Sequence, residues 1–219
     1  LADQNIIKQA LNFLKGVQNS DGSFPEVGYV CHRDMQGGSS KGIALTAYTL
    51  ITFLENKNYI EEFRTIIAKA QEFIIKNVEQ LNDTYSLAIA AYALKLAQHE
   101  QKDSFIKKLE SKAENKDGMK YWKKDLPISE CDNPWHCRPN SVNVEMSAYA
   151  LQAFLEANRD NEAVPIMKWL VTQRNENGGF QSTQDTVVGL QALSKLATKI
   201  YVADSEIQMT VKHNKGSPA

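Results

Sequence analysis

Four segments of the chain are apolar on almost every side and rich in small residues: Ile43 to Leu54, Tyr85 to Ala97, Val144 to Leu155 and Thr186 to Ala197. A helix with this pattern must be covered by protein around most of its circumference. Other stretches are amphipathic, with apolar residues on one side and long charged residues on the other. They predict helices with one buried face and one solvated face, at Glu61 to Asn77, Asp103 to Glu114 and Glu162 to Gln173.

Buried and half-buried helices alternate along the chain. Such a pattern, returning every ~40 to 60 residues, is typical of stacked helical hairpins in a closed ring or a solenoid. The small residues predict that the inner helices approach one another closely. We therefore expect an all-α fold built from helical hairpins.

A short sequence repeat supports this architecture. Phe13-Leu-Lys-Gly-Val-Gln-Asn-Ser-Asp-Gly-Ser-Phe24 aligns with Trp169-Leu-Val-Thr-Gln-Arg-Asn-Glu-Asn-Gly-Gly-Phe180. We expect Gly22 and Gly178 to adopt the left-handed conformation that closes a helix C-terminus, with the following phenylalanine folded onto the core. The repeat is thus interpreted as structural.

Helix starts are also indicated by the sequence. Asn82 or Asp83 is a suitable N-cap before Tyr85, and Asn143 is a suitable N-cap before Val144.

Three stretches do not fit a helical pattern: 21–40, 115–141 and the tail from Asp204. In the tail, Ile207, Met209 and Val211 alternate with polar residues, which predicts a β-strand. A single strand is not stable alone, so we expect its partner sheet to lie outside this chain.

Composition narrows the classes of partner. With 219 residues, 42% hydrophobic and 23% charged, the chain has the balance of a soluble globular protein. The formal net charge is −1 and the basic residues are scattered, so nucleic acid is not expected as a partner. No apolar run approaches the ~20 residues that cross a bilayer, so membrane insertion is not expected either.

Cysteine usage points to an extracellular protein. Cys131 and Cys137 bracket a short polar loop, Asp-Asn-Pro-Trp-His, which favours a local disulfide and an oxidising compartment. The alternative is a zinc site using Cys131, His136 and Cys137, although no fourth ligand is evident nearby. Asn82-Asp83-Thr84 is an N-glycosylation sequon, which makes Asn82 the candidate glycan site.

Common catalytic motifs are absent from the sequence: there is no Gly-rich phosphate loop, no His-Glu-x-x-His and no nucleophile elbow. The densest reactive cluster is Val30-Cys31-His32-Arg33-Asp34-Met35-Gln36-Gly37-Gly38. A catalytic pair of Cys31 and His32 is disfavoured, because adjacent side chains in extended backbone point to opposite faces. From the residues alone, His32 is interpreted as a surface loop histidine rather than as a nucleophile.

Three segments resemble a known family. Asn177-Gly-Gly-Phe-Gln-Ser-Thr-Gln-Asp-Thr-Val-Val-Gly-Leu-Gln-Ala-Leu-Ser-Lys195 and Val144-Glu-Met-Ser-Ala-Tyr-Ala-Leu151 resemble helices of the alpha-2-macroglobulins. The stretch from Val30 to Gly38 resembles the histidine loop of the third complement component. Around Gly28 to Thr46 the chain is most similar to insect thioester-containing proteins. The resemblance covers nearly the whole chain.

The resemblance implies an (α/α)6 toroid inserted in a CUB-like β domain. Residues 1–203 would form a partial toroid, and residues 204–219 would begin the return strand into that domain. Family members hold an internal thioester in a Gly-Cys-Gly-Glu-Gln motif that this sequence does not contain. Since the family places the motif well before the histidine loop, we expect this chain to begin inside the domain, without its first hairpins.

The resemblance also implies a chemistry. In complement-like members the loop histidine attacks the thioester, and His32 occupies its position, with Asp34 and Met35 as supporting residues. The expected function is that of a secreted opsonin domain that tags hydroxyl-bearing glycans on target surfaces, without turnover and without a cofactor or metal. Cys31 departs from the complement pattern.

Three other functions remain open at this point. The nearest is a macroglobulin-type protease inhibitor that uses the same toroid, with a preference for amine acceptors. A toroidal enzyme such as a prenyltransferase would require an acidic motif or a zinc triad, and neither is evident. A pure binding platform would be indicated by a parent protein that has no thioester motif.

Overall fold

The computed structural model describes residues 3–28, 42–77, 83–124 and 139–201, with side chains for all of these except 139 and 140. Within these ranges the chain forms eight α-helices and a single antiparallel sheet of two strands. The prediction of an all-α toroid of helical hairpins is confirmed.

The four apolar segments form the inner helices of the toroid. Neighbours in the order α2, α4, α6, α8 pack along their lengths, and many of their contact positions are alanines that are fully buried. Small side chains permit this close approach, as the sequence predicts. Their bounds are α2 (Gly42–Glu55), α4 (Thr84–Leu96), α6 (Pro139–Glu156) and α8 (Thr183–Ile200).

The amphipathic segments form outer helices. Helix α3 packs on α2, α5 on α4 and α7 on α6, so these three inner helices each form a hairpin with the helix that follows. A short 3-10 helix, Lys57–Tyr59, lies in the first of these connections. The outer helices are α1 (Gln4–Val17), α3 (Arg64–Lys76), α5 (Lys102–Glu110) and α7 (Asp160–Thr172).

Helix α5 ends earlier than the sequence pattern predicts. The chain leaves the helix at Glu110 and forms a β-hairpin from β1 (Glu114–Lys116) and β2 (Met119–Tyr121). Asp117 and Gly118 have φ angles of 51° and 71°, and an Asp-Gly pair with positive φ at both residues favours a tight hairpin turn. This turn chemistry outweighs helix propensity there.

One predicted helix cap is confirmed and another is wrong. Asp83 caps α4, because its side chain accepts from the backbone N–H groups of Tyr85 and Ser86. Asn143 does not cap α6, since that helix begins at Pro139. Instead the Asn143 side-chain oxygen accepts from Lys124 N–H at 2.9 Å and ties the incoming chain to α6.

The predicted strand at Ile207 to Val211 and the proposed domain boundary near residue 203 lie outside the described residues.

Candidate functional site

The four inner helices are parallel, because contacts join their starts to starts and their ends to ends. Near the starts, Ser141 Oγ lies 3.0 Å from Ser182 Oγ. Near the ends, Glu55 of α2 accepts from Lys195 of α8 at 3.3 Å. All four inner helices therefore begin at one end of the toroid, which we call the entry rim.

Each residue singled out from the sequence belongs to a connection that leads into the entry rim. His32, Asp34 and Met35 precede α2, and Asn82 precedes α4. Cys131 and Cys137 precede α6. These residues, together with Cys31 and His136, lie outside the described residues, so their roles stay predictions. The structure describes the starts of the inner helices that follow these connections.

A hydroxyl of α2 binds the backbone that precedes the connection into this helix. Thr46 is fully buried. Its Oγ1 accepts from Phe24 N–H at 3.1 Å and donates to Gly42 O at 2.9 Å. The Phe24 ring packs on Phe53 with centroids 6.1 Å apart. Phe24, which precedes the predicted histidine loop, is thus held to the first turns of α2, whereas the bond to Gly42 lies within α2.

The turn before Phe24 requires a glycine for steric reasons. Gly22 has a φ of 91°, and a Cβ there would lie 2.2 Å from Lys69 O. Gln18 Nε2 donates to Gly22 O at 3.1 Å and to Ile66 O at 3.0 Å, which joins the turn to α3. The predicted left-handed conformation is confirmed, but Gly22 closes a turn beyond the C-cap at Gln18 rather than the helix itself.

Polar side chains on the interior faces of the inner helices converge below the rim. Tyr85 of α4 donates to the Glu145 carboxylate of α6 at 2.5 Å, and Gln184 of α8 donates to the same oxygen at 3.5 Å. Glu145 is fully buried. A buried carboxylate is stable only when hydrogen-bonded, so this cluster joins three inner helices.

A second polar cluster lies toward the opposite end of the toroid. Glu55 Oε1 accepts from Tyr92 at 3.1 Å and from Gln191 at 3.0 Å, and Lys195 donates to both Tyr92 and Glu55. Burial, followed by the negative charge of Glu55, raises the pKa of Tyr92. This cluster connects α2, α4 and α8 at a partly exposed position near the ends of these helices.

Between the two clusters lie Tyr149 and Gln152 of α6. The Tyr149 ring lies 6.3 Å from Tyr92 and 6.2 Å from Tyr85. Burial, followed by the charge of Glu145, raises the pKa of Tyr149 well above its usual value. The Tyr149 hydroxyl and both polar atoms of Gln152 are buried and have no hydrogen-bond partner among the described residues.

This polar interior was missed by the sequence interpretation, which treated the inner helices as apolar almost all round. A signal was present: Glu145, Tyr149 and Gln152 recur at helical spacing inside an apolar segment. Charged and amide groups at such positions usually have hydrogen-bond partners within the fold, as Glu145 does.

Within the described ranges, no group of three or more His, Cys, Asp or Glu side chains is arranged to hold a metal ion. No helix in the described part of the chain is long and apolar enough to cross a membrane. The zinc alternative at Cys131, His136 and Cys137 lies outside those ranges.

The fold defines an all-helical toroid of hairpins with a rigid entry rim. The sequence profile of the A-macroglobulin TED domain matches residues 1–196. This chain belongs to the complement and alpha-2-macroglobulin family, and its residues 1–196 match the TED domain of that family.

Three relatives illustrate the membership. The chain is 35% identical over 215 residues, 98% of its length, to thioester-containing protein 1 allele S3 of Anopheles gambiae. It is 37% identical over 193 residues, 83% of its length, to complement C3 of Lethenteron camtschaticum. It is 34% identical over 220 residues, 97% of its length, to ovostatin of Gallus gallus. The chain spans 15%, 11% and 15% of these three proteins, respectively.

Proposed function

We propose that this chain is part of a secreted complement-like protein that attaches covalently to microbial or other target surfaces through an internal thioester. The thioester belongs to the parent protein, since no Gly-Cys-Gly-Glu-Gln motif occurs in this sequence. The observation that carries the proposal is the Cys-His-Arg-Asp-Met segment at residues 31–35, within a chain similar to thioester-containing protein 1 over 98% of its length.

The proposed reaction has two steps. A ring nitrogen of His32 attacks the thioester carbonyl, the C–S bond breaks, and the cysteine leaves as a thiolate. A surface hydroxyl then attacks the acyl-imidazole and gives its proton to the thiolate. The C–N bond breaks, an ester to the surface forms, and His32 is released.

A histidine suits the first step for a physical reason. Imidazole is largely neutral at physiological pH and is a better nucleophile than a sugar hydroxyl, so it intercepts the thioester and presents a more reactive acyl group. In this proposal Asp34 orients His32 and Met35 packs beside the acyl group. Each molecule reacts once, so the chain acts without turnover.

The test uses the full-length parent with its thioester verified by mass, then activated in the presence of glycerol or a small amine. His32→Ala is expected to abolish ester transfer to glycerol while amine transfer continues. His99→Ala is the control, because His99 lies in the α4–α5 connection and accepts from Gln101 N–H at 3.1 Å. Wild-type rates of glycerol transfer by His32→Ala would contradict the proposal.

The same experiment addresses the alternative of a macroglobulin-type protease inhibitor. That function predicts amine acceptors as the main products in the wild type, with little change when His32 is removed. A dominant ester product in the wild type would exclude it.

We also propose a Cys131–Cys137 disulfide and a glycan on Asn82, both suited to a secreted parent. The other two residues of the sequon, Asp83 and Thr84, are the N-cap and the first residue of α4. Mass spectrometry of a non-reduced digest is expected to show one crosslinked peptide and one glycopeptide. Free thiols at both cysteines or bound zinc would contradict the disulfide. An unmodified Asn82 in secreted protein would contradict the glycan.

The proposed domain division is a toroid at 1–203 and a return strand at 204–219 into a CUB-like β domain. Limited proteolysis of the parent tests this division. Preferential cleavage near residue 203 is expected, and preferential cleavage inside α8 (Thr183–Ile200) would contradict it.

A further inference from the structure

The described part of the chain contains three turns in which an aspartate or asparagine precedes a glycine: Asp21–Gly22, Asp117–Gly118 and Asn177–Gly178. An aspartate in this position can cyclise, because the backbone nitrogen of the following residue attacks the side-chain carboxyl carbon. Glycine favours the reaction, since it has no Cβ to hinder the approach. In a folded protein the reaction also requires that this nitrogen is free and that the turn can move.

The first and third pairs belong to the repeated turn, and in both the glycine nitrogen is engaged. Gly22 N–H donates to Asn19 O at 3.0 Å, and Gly178 N–H donates to Asn175 O at 2.9 Å. The turn at Gly22 is also packed against α3, because a Cβ there would lie 2.2 Å from Lys69 O. The attacking nitrogen is therefore restrained in both turns.

The Asp21 carboxylate is restrained as well. It accepts from Ser23 N–H at 3.0 Å and from Ser23 Oγ at 2.7 Å, and these hydrogen bonds lower the pKa of Asp21. Cyclisation uses the neutral carboxyl group, since an oxygen must leave as water. Both reacting groups of the Asp21–Gly22 pair are thus held in unreactive states.

The pair at the tip of the β-hairpin has none of these restraints. Asp117 and Gly118 are exposed. Among the described residues, Gly118 N–H has no acceptor and the Asp117 carboxylate has no hydrogen-bond or ion-pair partner. A Cβ at Gly118 would meet nothing within 4 Å. Asp117 also has a φ of 51°, which is unfavourable for a residue with a side chain.

We propose that Asp117 is the site at which the folded chain forms isoaspartate. The Gly118 nitrogen bonds to Asp117 Cγ and loses its proton, and a carboxyl oxygen leaves as water, which gives a succinimide ring. Water then adds to one of the two ring carbonyls. Opening at Cγ restores aspartate, whereas opening at the main-chain carbonyl leaves Gly118 joined through the former side chain, which is isoaspartate.

The modification changes the length of the main chain. Isoaspartate adds one carbon between Asp117 Cα and the Gly118 nitrogen. The turn has only two residues, and the strands that it joins pair in a register that sets Lys116 opposite Met119. A tight turn of this kind depends on its backbone geometry, so the extra carbon is expected to disturb the pairing of β1 with β2.

The experiment incubates the full-length parent in mildly acidic buffer, with a parallel sample in denaturant, and follows isoaspartate at each site by peptide mapping. Isoaspartate leaves the peptide mass unchanged, so it is identified by a shifted retention time and by resistance to cleavage with Asp-N protease. Asn177→Asp is the matched control, because it places an Asp-Gly pair in a turn whose glycine N–H is hydrogen-bonded. The ratio of the denatured to the folded rate gives the protection at each site.

We expect almost no protection at Asp117. At Asp21 and at the Asn177→Asp site the folded rate is expected to be about tenfold below the denatured rate, because a hydrogen bond of the turn must open first. Asp21 keeps the comparison valid if the variant perturbs its own turn. Equal protection at Asp21 and Asp117, or stronger protection at Asp117, would overturn the proposal. The measurement does not use the thioester, so its outcome is independent of the proposed function.

Discussion

Tyr85 and Glu145 join two inner helices through the hydrogen bond from the Tyr85 hydroxyl to Glu145 Oε1, at 2.5 Å. Both side chains are buried, so the carboxylate relies on donors within the fold. Hydrogen bonds to a charged group contribute more than those between neutral groups, about 1.5–3 kcal/mol. The pair therefore couples the packing of α4 and α6 to the stability of the polar interior.

The first prediction concerns this pair. Tyr85→Phe is expected to lower the free energy of unfolding by about 2 kcal/mol, because a buried carboxylate loses a donor. Chemical denaturation measures the loss. A double-mutant cycle with Glu145→Gln provides the control, and a coupling free energy near zero would show that the contact contributes nothing specific.

The second prediction concerns Gln152, whose amide is fully buried and has no hydrogen-bond partner in the part of the chain that the structure describes. Gln152→Met keeps the side-chain length and removes the unsatisfied polar atoms. We expect the free energy of unfolding to rise by about 1 kcal/mol, since the wild type has an uncompensated desolvation cost.

Gln191→Met is the matched control for this substitution. Gln191 donates to Glu55 at 3.0 Å, so its replacement is expected to leave stability unchanged or lower it. If Gln152→Met destabilised the fold by a similar amount, Gln152 would have a partner in solution, such as bound water.

The third prediction is a loss of stability at alkaline pH. The pKa values of Tyr92 and Tyr149 are raised in the folded chain, chiefly by burial. A raised folded-state pKa contributes stability that is fully present below the unfolded value, about 10, and that is lost as pH rises above it. The unfolded chain releases these protons more readily than the folded chain.

Denaturation series between pH 8 and about pH 11 check this dependence. Tyr149→Phe and Tyr92→Phe are each expected to flatten it, because each removes one buried titrating phenol. An unchanged slope in both variants would assign the alkaline loss to other groups.

The sequence predicted the inner helices and hairpins well because their signals are local. Apolar periodicity marks the buried segments, and Gly22 and Gly178 mark turns with positive φ, 91° and 81° in the structure. The predicted C-terminal end of α5 was wrong, because a two-residue turn at Asp117 and Gly118 reverses the chain and forms a β-hairpin after that helix. The prediction of Asn143 as an N-cap was wrong, because its side chain binds the backbone N–H of Lys124, in the connection before α6.

The polar interior was harder to predict, because it depends on which helix faces meet. Glu55 and Lys195 are 140 residues apart in sequence, and no local pattern indicates that they share one cluster. The hydrogen bond from Phe24 N–H to the Thr46 hydroxyl was equally hard to predict. A threonine in an apolar helix does not indicate which backbone group its hydroxyl will bind. Contacts of this kind follow from topology rather than from periodicity.

The last prediction compares two helical glycines. Gly189 lies inside α8, and a Cβ added there would meet the Phe180 ring at 2.5 Å, whereas a Cβ at Gly16 in α1 would meet nothing within 4 Å. Replacing a mid-helix glycine by alanine ordinarily stabilises a helix by roughly 1 kcal/mol. Gly16 is the second-to-last residue of α1, so part of this gain is expected there.

At Gly189 the clash decides the sign. Phe180 is held by its buried ring and by its N–H bond to Thr186 at 2.9 Å, so it cannot move aside without disturbing the turn before α8. Overpacking costs about 1–3 kcal/mol, which outweighs the helix-propensity gain. Thermal unfolding is therefore expected to show a higher Tm for Gly16→Ala and a lower Tm for Gly189→Ala. A stabilising Gly189→Ala would mean that the Phe180 ring repacks freely, and that the joint before α8 is less rigid than its hydrogen bonds indicate.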